Sequence, residues 1–458
     1  MELESGINKL IFEYYEARIV YGYYEYGDKL PAIPKICAVF RMAPATVRAG
    51  LAALEKQGYI RIDARKASMV IYKADRAKRR KLAAEYFVPR KEEIKDLLDS
   101  SDMLIRPIWD LAISRLGMED WARFKEELGQ PSEFLGMMPI RFFLFTLCEL
   151  GNSLILNLYW ELIRFLRFPY LEISRQTDPG GQEYSHKTML ELRNQYEAEF
   201  RDGVDRLFDF IEESVKEFAM EDTEQISFEW NIYRQRPQLC YTLVCHVIRD
   251  IGKGIYPVGS FLPSLPQMSR HYGVSVSTVR RSLSILNSVG ITQSFQGKGT
   301  QIQMNVREIN FERPEIRDGL RLYRESLQLL HITMQHVFLY TFENVSEADK
   351  DIFKHRFLQL LEEKNSYLCF DISLAFIEEH CPRSIIRECY KKVRELTAWG
   401  YPFTLYRLNG KSMHMEYSQI IEKAAGYLKS GDLSAFTDCL EDLLEREEHN
   451  VNVAFSKY

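Results

Sequence analysis

Between residues 275 and 298 the chain sets short hydroxyls and strong bases close together. Ser275, Ser277 and Thr278 come first, then Arg280 and Arg281, then Lys298 between Gly297 and Gly299. Hydroxyls at a helix start can reach base edges or phosphate oxygens. Arginine offers a planar fork that fits the O6 and N7 of guanine, or two phosphate oxygens. A lysine flanked by glycines can approach a ligand closely, because its neighbours lack Cβ atoms. As a set these groups suit duplex DNA, with base edges for the helix and phosphates or the minor groove for the lysine loop. A solvated helix face beside an incidental turn would use the same residue types. The elements that carry the residues therefore have to discriminate.

Residues 254–304 supply those elements. Tyr256-Pro257-Val258-Gly259 reads as a turn, and Ser264 can cap a short helix whose apolar face includes Leu265 and Met268. His271-Tyr272-Gly273 breaks that helix, Val274 enters the core, and Ser275 caps a second helix. Val279, Leu283 and Leu286 recur at i, i+4 and i+7, which predicts one buried stripe and leaves Ser277, Thr278, Arg280 and Arg281 on the other side. After Gly290, two strand-like runs, 291–295 and 300–304, flank the turn Gln296-Gly297-Lys298-Gly299. This order predicts a winged helix-turn-helix.

The pattern occurs twice. Leu30-Pro31 and Leu262-Pro263, Thr46-Val47-Arg48 and Thr278-Val279-Arg280, and Gly58 and Gly290 are all 232 positions apart. Pro34 with Pro266, Leu51 with Leu283 and Leu54 with Leu286 keep the same spacing without a gap. An internal duplication is the economical reading. The copies differ where chemistry is expected. Ala43 stands where Ser275 caps, Pro44 takes the first helical turn, and the first wing reads Ala64-Arg65-Lys66-Ala67 without paired glycines.

The chain of 458 residues has room for several domains, and a hydrophobic content of 46% with 27% charged residues is that of a soluble globular protein. Net charge is −5, so the whole chain is not an electrostatic nucleic-acid binder. Charge is distributed unevenly, however. Arg61, Arg65, Lys66, Lys73, Arg76, Lys78, Arg79, Arg80 and Lys81 face only Asp63 and Asp75 over residues 61–81. A solvated helix face is the bland reading of that run. Its place beside the first wing favours phosphate contact. The eight cysteines show no CxxC pair and no zinc spacing, which points to buried thiols. No secretion signal is expected, and Arg141, Glu149, Glu161 and Arg164 interrupt the most apolar stretch, 134–171. A reducing cytoplasm is the expected location.

Residues 1–15 and 239–251 read as the helices that open each winged unit. Elsewhere the periodicity is helical: 77–86, 91–117, 121–127, 139–151, 153–168 and 189–220, then 314–334, 348–363, 367–379, 384–398, 417–430 and 433–448. Gln176-Thr177-Asp178-Pro179-Gly180-Gly181-Gln182 has the composition of a turn. The expected class is mainly α, with two winged helix-turn-helix domains alternating with two all-helical domains. The boundaries are 1–73, 74–234, 235–306 and 307–458.

Both winged units resemble the N-terminal DNA-binding domain of the GntR family of bacterial transcription regulators. In the second unit the resemblance rests on Gly259, Leu262-Pro263-Ser264, Val274-Ser275, Thr278-Val279-Arg280, Leu283, Leu286, Gly290 and Gly297-Lys298-Gly299. In the first it rests on Gly27-Asp28, Leu30-Pro31, Thr46-Val47-Arg48, Leu54 and Gly58. The helical regions are similar, more loosely, to the effector domains of the fatty-acid-regulator branch, at Glu149-Leu150-Gly151-Asn152 and Glu362-Glu363-Lys364-Asn365. That branch often holds a metal with one Asp and three His. Here only Asp351 and His355 have ligand spacing, and a surface Asp–His pair is the simpler reading. Both units also carry Pro34 or Pro266 where the family usually has a DNA-contacting arginine.

The resemblance implies a ligand-responsive transcription regulator that binds double-stranded DNA. The expected contacts are Thr46, Arg48, Arg65 and Lys66 in the first head, and Ser264, Ser275, Ser277, Thr278, Arg280, Arg281, Lys298 and Gly299 in the second. The second head is expected to read sequence and the first to grip backbone. No cofactor is expected, and a small-molecule effector is left open. Family members are homodimers, whereas two heads in one chain allow a monomeric pseudo-dimer or a homodimer with four heads. The aromatic stretch Phe134–Tyr170 reads as core, ligand cavity or dimer interface. The alternative function is a winged-helix protein-interaction module without DNA binding. An enzyme is not expected, because no phosphate loop, dinucleotide fingerprint, zinc motif or nucleophile motif occurs.

Overall fold

Apolar residues at helical spacing build most of this chain. The computed structural model describes residues 7–40, 42–63, 67–128, 138–167, 186–232 and 238–458, and the chain divides into two units, Met1–Gln235 and Arg236–Tyr458. Arg65 and Lys66, the turn 176–182 and parts of the stretch 134–171 lie outside the described residues.

The first unit opens with α1 (Ile7–Val20), α2 (Ile33–Phe40) and α3 (Pro44–Lys56), then a hairpin of β1 (Ile60–Arg61) and β2 (Met69–Val70). Leu10, Ile11 and Tyr14 of α1, Ile36 and Phe40 of α2, and Val47, Leu51 and Leu54 of α3 are buried together. Burying each such side chain stabilises by roughly 1.5–3 kcal/mol, which is why these short helices hold. We call this segment head 1. Helices α4 (Arg76–Phe87), α5 (Lys91–Leu104), α6 (Arg106–Ser114), α7 (Met118–Leu128), α8 (Met138–Cys148), α9 (Ser153–Leu166) and α10 (His186–Phe218) complete the unit. The expected continuous helix 91–117 is broken after Leu104. Pro107, the second residue of α6, lacks the N–H that a helix interior needs and is tolerated only in a first turn. After α10 the chain returns without regular structure. Ile226 N donates to Pro89 O (2.6 Å), and the buried Trp230 donates its Nε1–H to Asn157 Oδ1 (2.7 Å).

The second unit repeats the opening with α11 (Gln238–Gly252), α12 (Leu265–Tyr272), α13 (Val276–Ser288), β3 (Thr292–Phe295) and β4 (Gly299–Ile302). We call this segment head 2. It continues with α14 (Pro314–Glu343), α15 (Glu347–Glu362), α16 (Cys369–His380), α17 (Ser384–Thr397), α18 (Gly400–Leu408), α19 (Met413–Ser430) and α20 (Leu433–Ala454). Sequence periodicity misses α18, whose Gly400 and Pro402 read as a break. Pro402 sits in the first turn, where its missing N–H costs nothing, and a Cβ on Gly400 would lie 2.5 Å from the Tyr323 ring. The bundle core is aromatic, with Phe353 packed on Phe376 (4.8 Å) and Phe338 on Phe436 (5.3 Å). The buried Glu447 carboxylate is satisfied by Thr404 Oγ1 (3.0 Å), Tyr417 Oη (3.0 Å) and Arg407 Nη2 (3.1 Å).

The two heads make the same backbone bonds 232 positions apart. Ile60 pairs with Val70 as Thr292 pairs with Ile302, and the bridge Lys29–Met69 recurs as Phe261–Gln301. Gly27 N donates to Val70 O (2.9 Å) as Gly259 N donates to Ile302 O (2.8 Å). Ile71 N donates to Tyr59 O (2.9 Å) as Gln303 N donates to Ile291 O (2.9 Å). The hairpins differ in length, with two residues per strand in head 1 and four in head 2. Beyond the heads, Gly151 (φ +62°) and Lys364 (φ +58°) both take the left-handed conformation immediately before an asparagine.

Candidate nucleic-acid interface

Head 2 is basic beyond what the whole-chain charge suggests. Residues 238–304 carry Arg249, Lys253, Arg270, Arg280, Arg281 and Lys298 against a single acid, Asp250. That acid faces inward and accepts from Tyr272 Oη at 3.2 Å; burial, followed by the Asp250 charge, pushes the Tyr272 hydroxyl well above its ordinary value. The remaining charge on the segment is positive, as a phosphate-facing surface requires.

The predicted contacts are grouped at one helix end. Ser275 caps α13, its Oγ accepting from Thr278 N at 3.1 Å, while Ser277 Oγ and Thr278 Oγ1 lie 2.7 and 2.9 Å from it. The three hydroxyls thus share hydrogen bonds in the absence of DNA and form one polar cluster at the positive end of the helix dipole. Ser275 and Ser277 are exposed, and Thr278 is half-buried. Beneath them Val279, Leu283, Ile285 and Leu286 are buried, and Ser282 Oγ is fixed to Cys240 O of α11 (3.1 Å). The stripe therefore holds α13 against α11 with its other face outward. Ser264 opens α12, and its amide and hydroxyl both donate to Gln267 Oε1, at 2.9 and 2.7 Å. The hydroxyl therefore serves the helix start first.

Arg280 and Arg281 are both exposed, but their surroundings differ. Glu315, near the start of α14, has a carboxyl held below its ordinary value by its own backbone N–H, by Arg313 and by Arg281. Arg281 therefore shares its charge with an acid of its own unit. Arg280 has no carboxylate partner among the described residues. Arg313 ties the two parts of the unit, donating to Ser284 O (3.1 Å) and also to Ser288 Oγ.

In the wing, Gly297 (φ +74°) and Gly299 (φ +106°) occupy backbone conformations that disfavour other residues, and Lys298 between them is exposed. A chain of polar side chains that sequence reading missed joins the wing to α13. Thr292 Oγ1 donates to Asn287 Oδ1 (2.7 Å), Asn287 Nδ2 donates to Ser294 Oγ (3.0 Å), and Ser294 Oγ lies 2.9 Å from Thr300 Oγ1. The matching positions of head 1 also bond, there through Glu55 Oε1 accepting from Ile62 N (2.7 Å). The shared spacing of Asn287 and Glu55 was the available signal.

Head 1 differs at the corresponding positions. Ala43 gives α3 no side-chain cap, Thr46 is half-buried, and Arg48 is exposed. Part of the basic run beyond its wing is paired within the unit. Arg80 pairs with Glu217 (2.7 Å) and Glu213 (2.9 Å) of α10, and Arg79 with Glu25 (3.8 Å). Lys73 stacks on Tyr26 (4.0 Å). Arg61 and Arg76 are exposed. The i, i+4 pair in the second unit is a surface feature, with Asp351 3.6 Å from Lys354 and His355 exposed. Among the described residues no group of three or more His, Cys, Asp or Glu could hold a metal, and no helix is long and apolar enough to cross a membrane.

Known proteins are similar to parts of this chain. A "Probable fructoselysine utilization operon transcriptional repressor" of Escherichia coli (strain K12) is 35% identical over 71 residues, which is 15% of this chain and 29% of the repressor; the Shigella flexneri protein of the same name matches equally. The match thus spans under a third of these relatives. Among solved structures, Streptococcus agalactiae GntR has 15% identity over 46% of this chain and 99% of its own, with a TM-score of 0.20. E. coli McbR/YncC has 16% identity over 47% and 98%, with a TM-score of 0.26. Residues 241–302, nearly all of head 2, match the family described as "Bacterial regulatory proteins, gntR family".

Proposed function

We propose that the protein is a sequence-specific transcription regulator that binds duplex DNA through two winged helix-turn-helix heads produced by internal duplication. The helical domains, 74–234 and 307–458, carry effector response and assembly. The observation that carries the reading is the start of α13. Ser277, Thr278 and Arg280 stand there on the face opposite a buried stripe, and the segment holds only one acid. Repetition of the same ladder bonds at a spacing of 232 supports the duplication. The E. coli relative is named as a repressor of an operon, in line with action on transcription.

Head 2 reads base edges with Arg280 and the hydroxyls of Ser275, Ser277 and Thr278, while Lys298 enters the minor groove or meets phosphate. Arg281 acts mainly on phosphate, and Ser264 and Gly299 position the backbone. Head 1 grips the backbone through Thr46, Arg48, Arg61 and Arg76, with Arg65 and Lys66 in its wing. One chain therefore offers two unequal heads, and the protein acts in the bacterial cytoplasm.

The test is selection of host-genome fragments bound by the purified chain. The reading expects enrichment of a common motif, whose symmetry reports how many heads engage. Absence of duplex binding even at low salt would sink it and favour a protein-interaction role.

A further inference from the structure

Within the second unit a cavity of about 90 Å³ lies where α11 of head 2 meets the helical bundle. Arg249 and Gly252 of α11 line one side; Tyr323, Tyr367 and Tyr401 line the bundle side. Most charges around it are matched. Asp371 receives Arg394 Nε (2.9 Å) and Lys253 Nζ (2.9 Å), and Arg394 Nη1 reaches Glu378 (2.7 Å).

Arg249 is the exception. It is half-buried, its polar contact is His246 Nδ1 at 3.5 Å, and no carboxylate lies within ion-pairing distance among the described residues. The hydroxyl of Tyr401, also half-buried on this wall, has no hydrogen-bond partner among the described residues. Partial removal of a guanidinium from water without a counter-ion is costly, and the cost is offset when an anion arrives. An aromatic wall with a few convergent polar groups is the usual form of a small-molecule site. The volume is several times that of one water, and the cavity is partly open, so a single ring can enter it without being fully enclosed.

We propose that this cavity binds a small aromatic carboxylate. Its carboxylate sits on Arg249, its ring lies among the tyrosines, and a ring hydroxyl meets Tyr401. The ligand would touch the head and the bundle at once. It would add to the existing seam, where Lys253 meets Asp371 and Tyr367 Oη donates to Gly252 O (3.2 Å). Occupancy then shifts head 2 toward the seated position, by as much as the ligand prefers that state. The consequence for DNA rests on the function proposed above; the binding does not.

Calorimetric titration of the full chain with benzoate and 4-hydroxybenzoate tests it, with the matching amides as controls. Saturable binding of the acids is expected, about tenfold or more weaker for the amides and for Arg249→Gln, and intermediate for Arg249→Lys. Tyr401→Phe should keep benzoate and lose the preference for the hydroxylated acid, which separates a site effect from a folding defect. No saturable binding of either acid, or equal binding by a folded Arg249→Gln, would overturn the proposal. Duplex binding measured in parallel distinguishes the two readings: a chain that binds the acids but not DNA contradicts only the regulator, and the reverse contradicts only this site.

Discussion

Arg280 and Arg281 are sequence neighbours with identical side chains, yet the fold gives them different surroundings. Arg281 lies within electrostatic reach of Glu315, whereas Arg280 faces outward from a buried stripe with no acid paired to it among the described residues. Arg280→Ala should therefore cost about 1–3 kcal/mol of discrimination between the selected site and a scrambled duplex, and Arg281→Ala distinctly less, measured by competitive gel shift. Ser275→Ala removes a cap that accepts from Thr278 N, so urea unfolding of the second unit should show a loss of about 1 kcal/mol. At this scale much was legible in the sequence. The cap, the stripe and the hydroxyl cluster follow from spacing of a few residues. The partners of Arg80 did not, because Glu213 and Glu217 lie on a helix more than a hundred residues away.

The wing and its junction with the bundle bring out the difference between equivalent elements. Gly290 (φ +74°) and Gly58 (φ +79°) end α13 and α3 at corresponding positions, and both need the left-handed conformation. A Cβ at Gly290 would also lie 2.1 Å from Asn305 O, whereas nothing lies within 4 Å of one at Gly58. Gly58→Ala should cost about 1–2 kcal/mol of backbone strain, and Gly290→Ala clearly more, because a backbone carbonyl must move; thermal unfolding of the two variants checks this. The glycines were visible in the sequence, but the crowding was not, since it depends on where the chain after β4 runs. In the bundle, α14 and α20 are joined by His331, which lies 3.4 Å from Glu448. The hydrogen bond to Glu448, opposed by burial, raises the imidazole above 6.5. A raised group contributes its stability fully below the unfolded value, and that contribution fades as pH rises through the folded one. Stability of the second unit should therefore fall as pH rises above about 6.5. His331→Gln should flatten that slope in pH-dependent urea melts. Helix α18 escaped sequence reading because Gly400 and Pro402 mimic a break, while their real reasons, contact with Tyr323 and a first-turn position, are tertiary.

Across the whole molecule, a net charge of −5 conceals a head with six strong bases and one acid, so whole-chain charge does not describe its parts. The spacing of 232 is readable because both segments carry the same residues at their turns, and the ladder bonds recur at that spacing. Which charges remain available in each head depends on long-range pairing, and there the sequence was silent. The central claim is that base reading belongs to head 2 and backbone grip to head 1. Competition between the selected duplex and its scrambled counterpart, run for the Thr278→Ala/Arg280→Ala and Thr46→Ala/Arg48→Ala double variants, tests it most directly. The account predicts that the head 2 variant loses most of the discrimination while the head 1 variant loses affinity evenly for both duplexes. Full discrimination in the head 2 variant, or its loss in the head 1 variant alone, would contradict it.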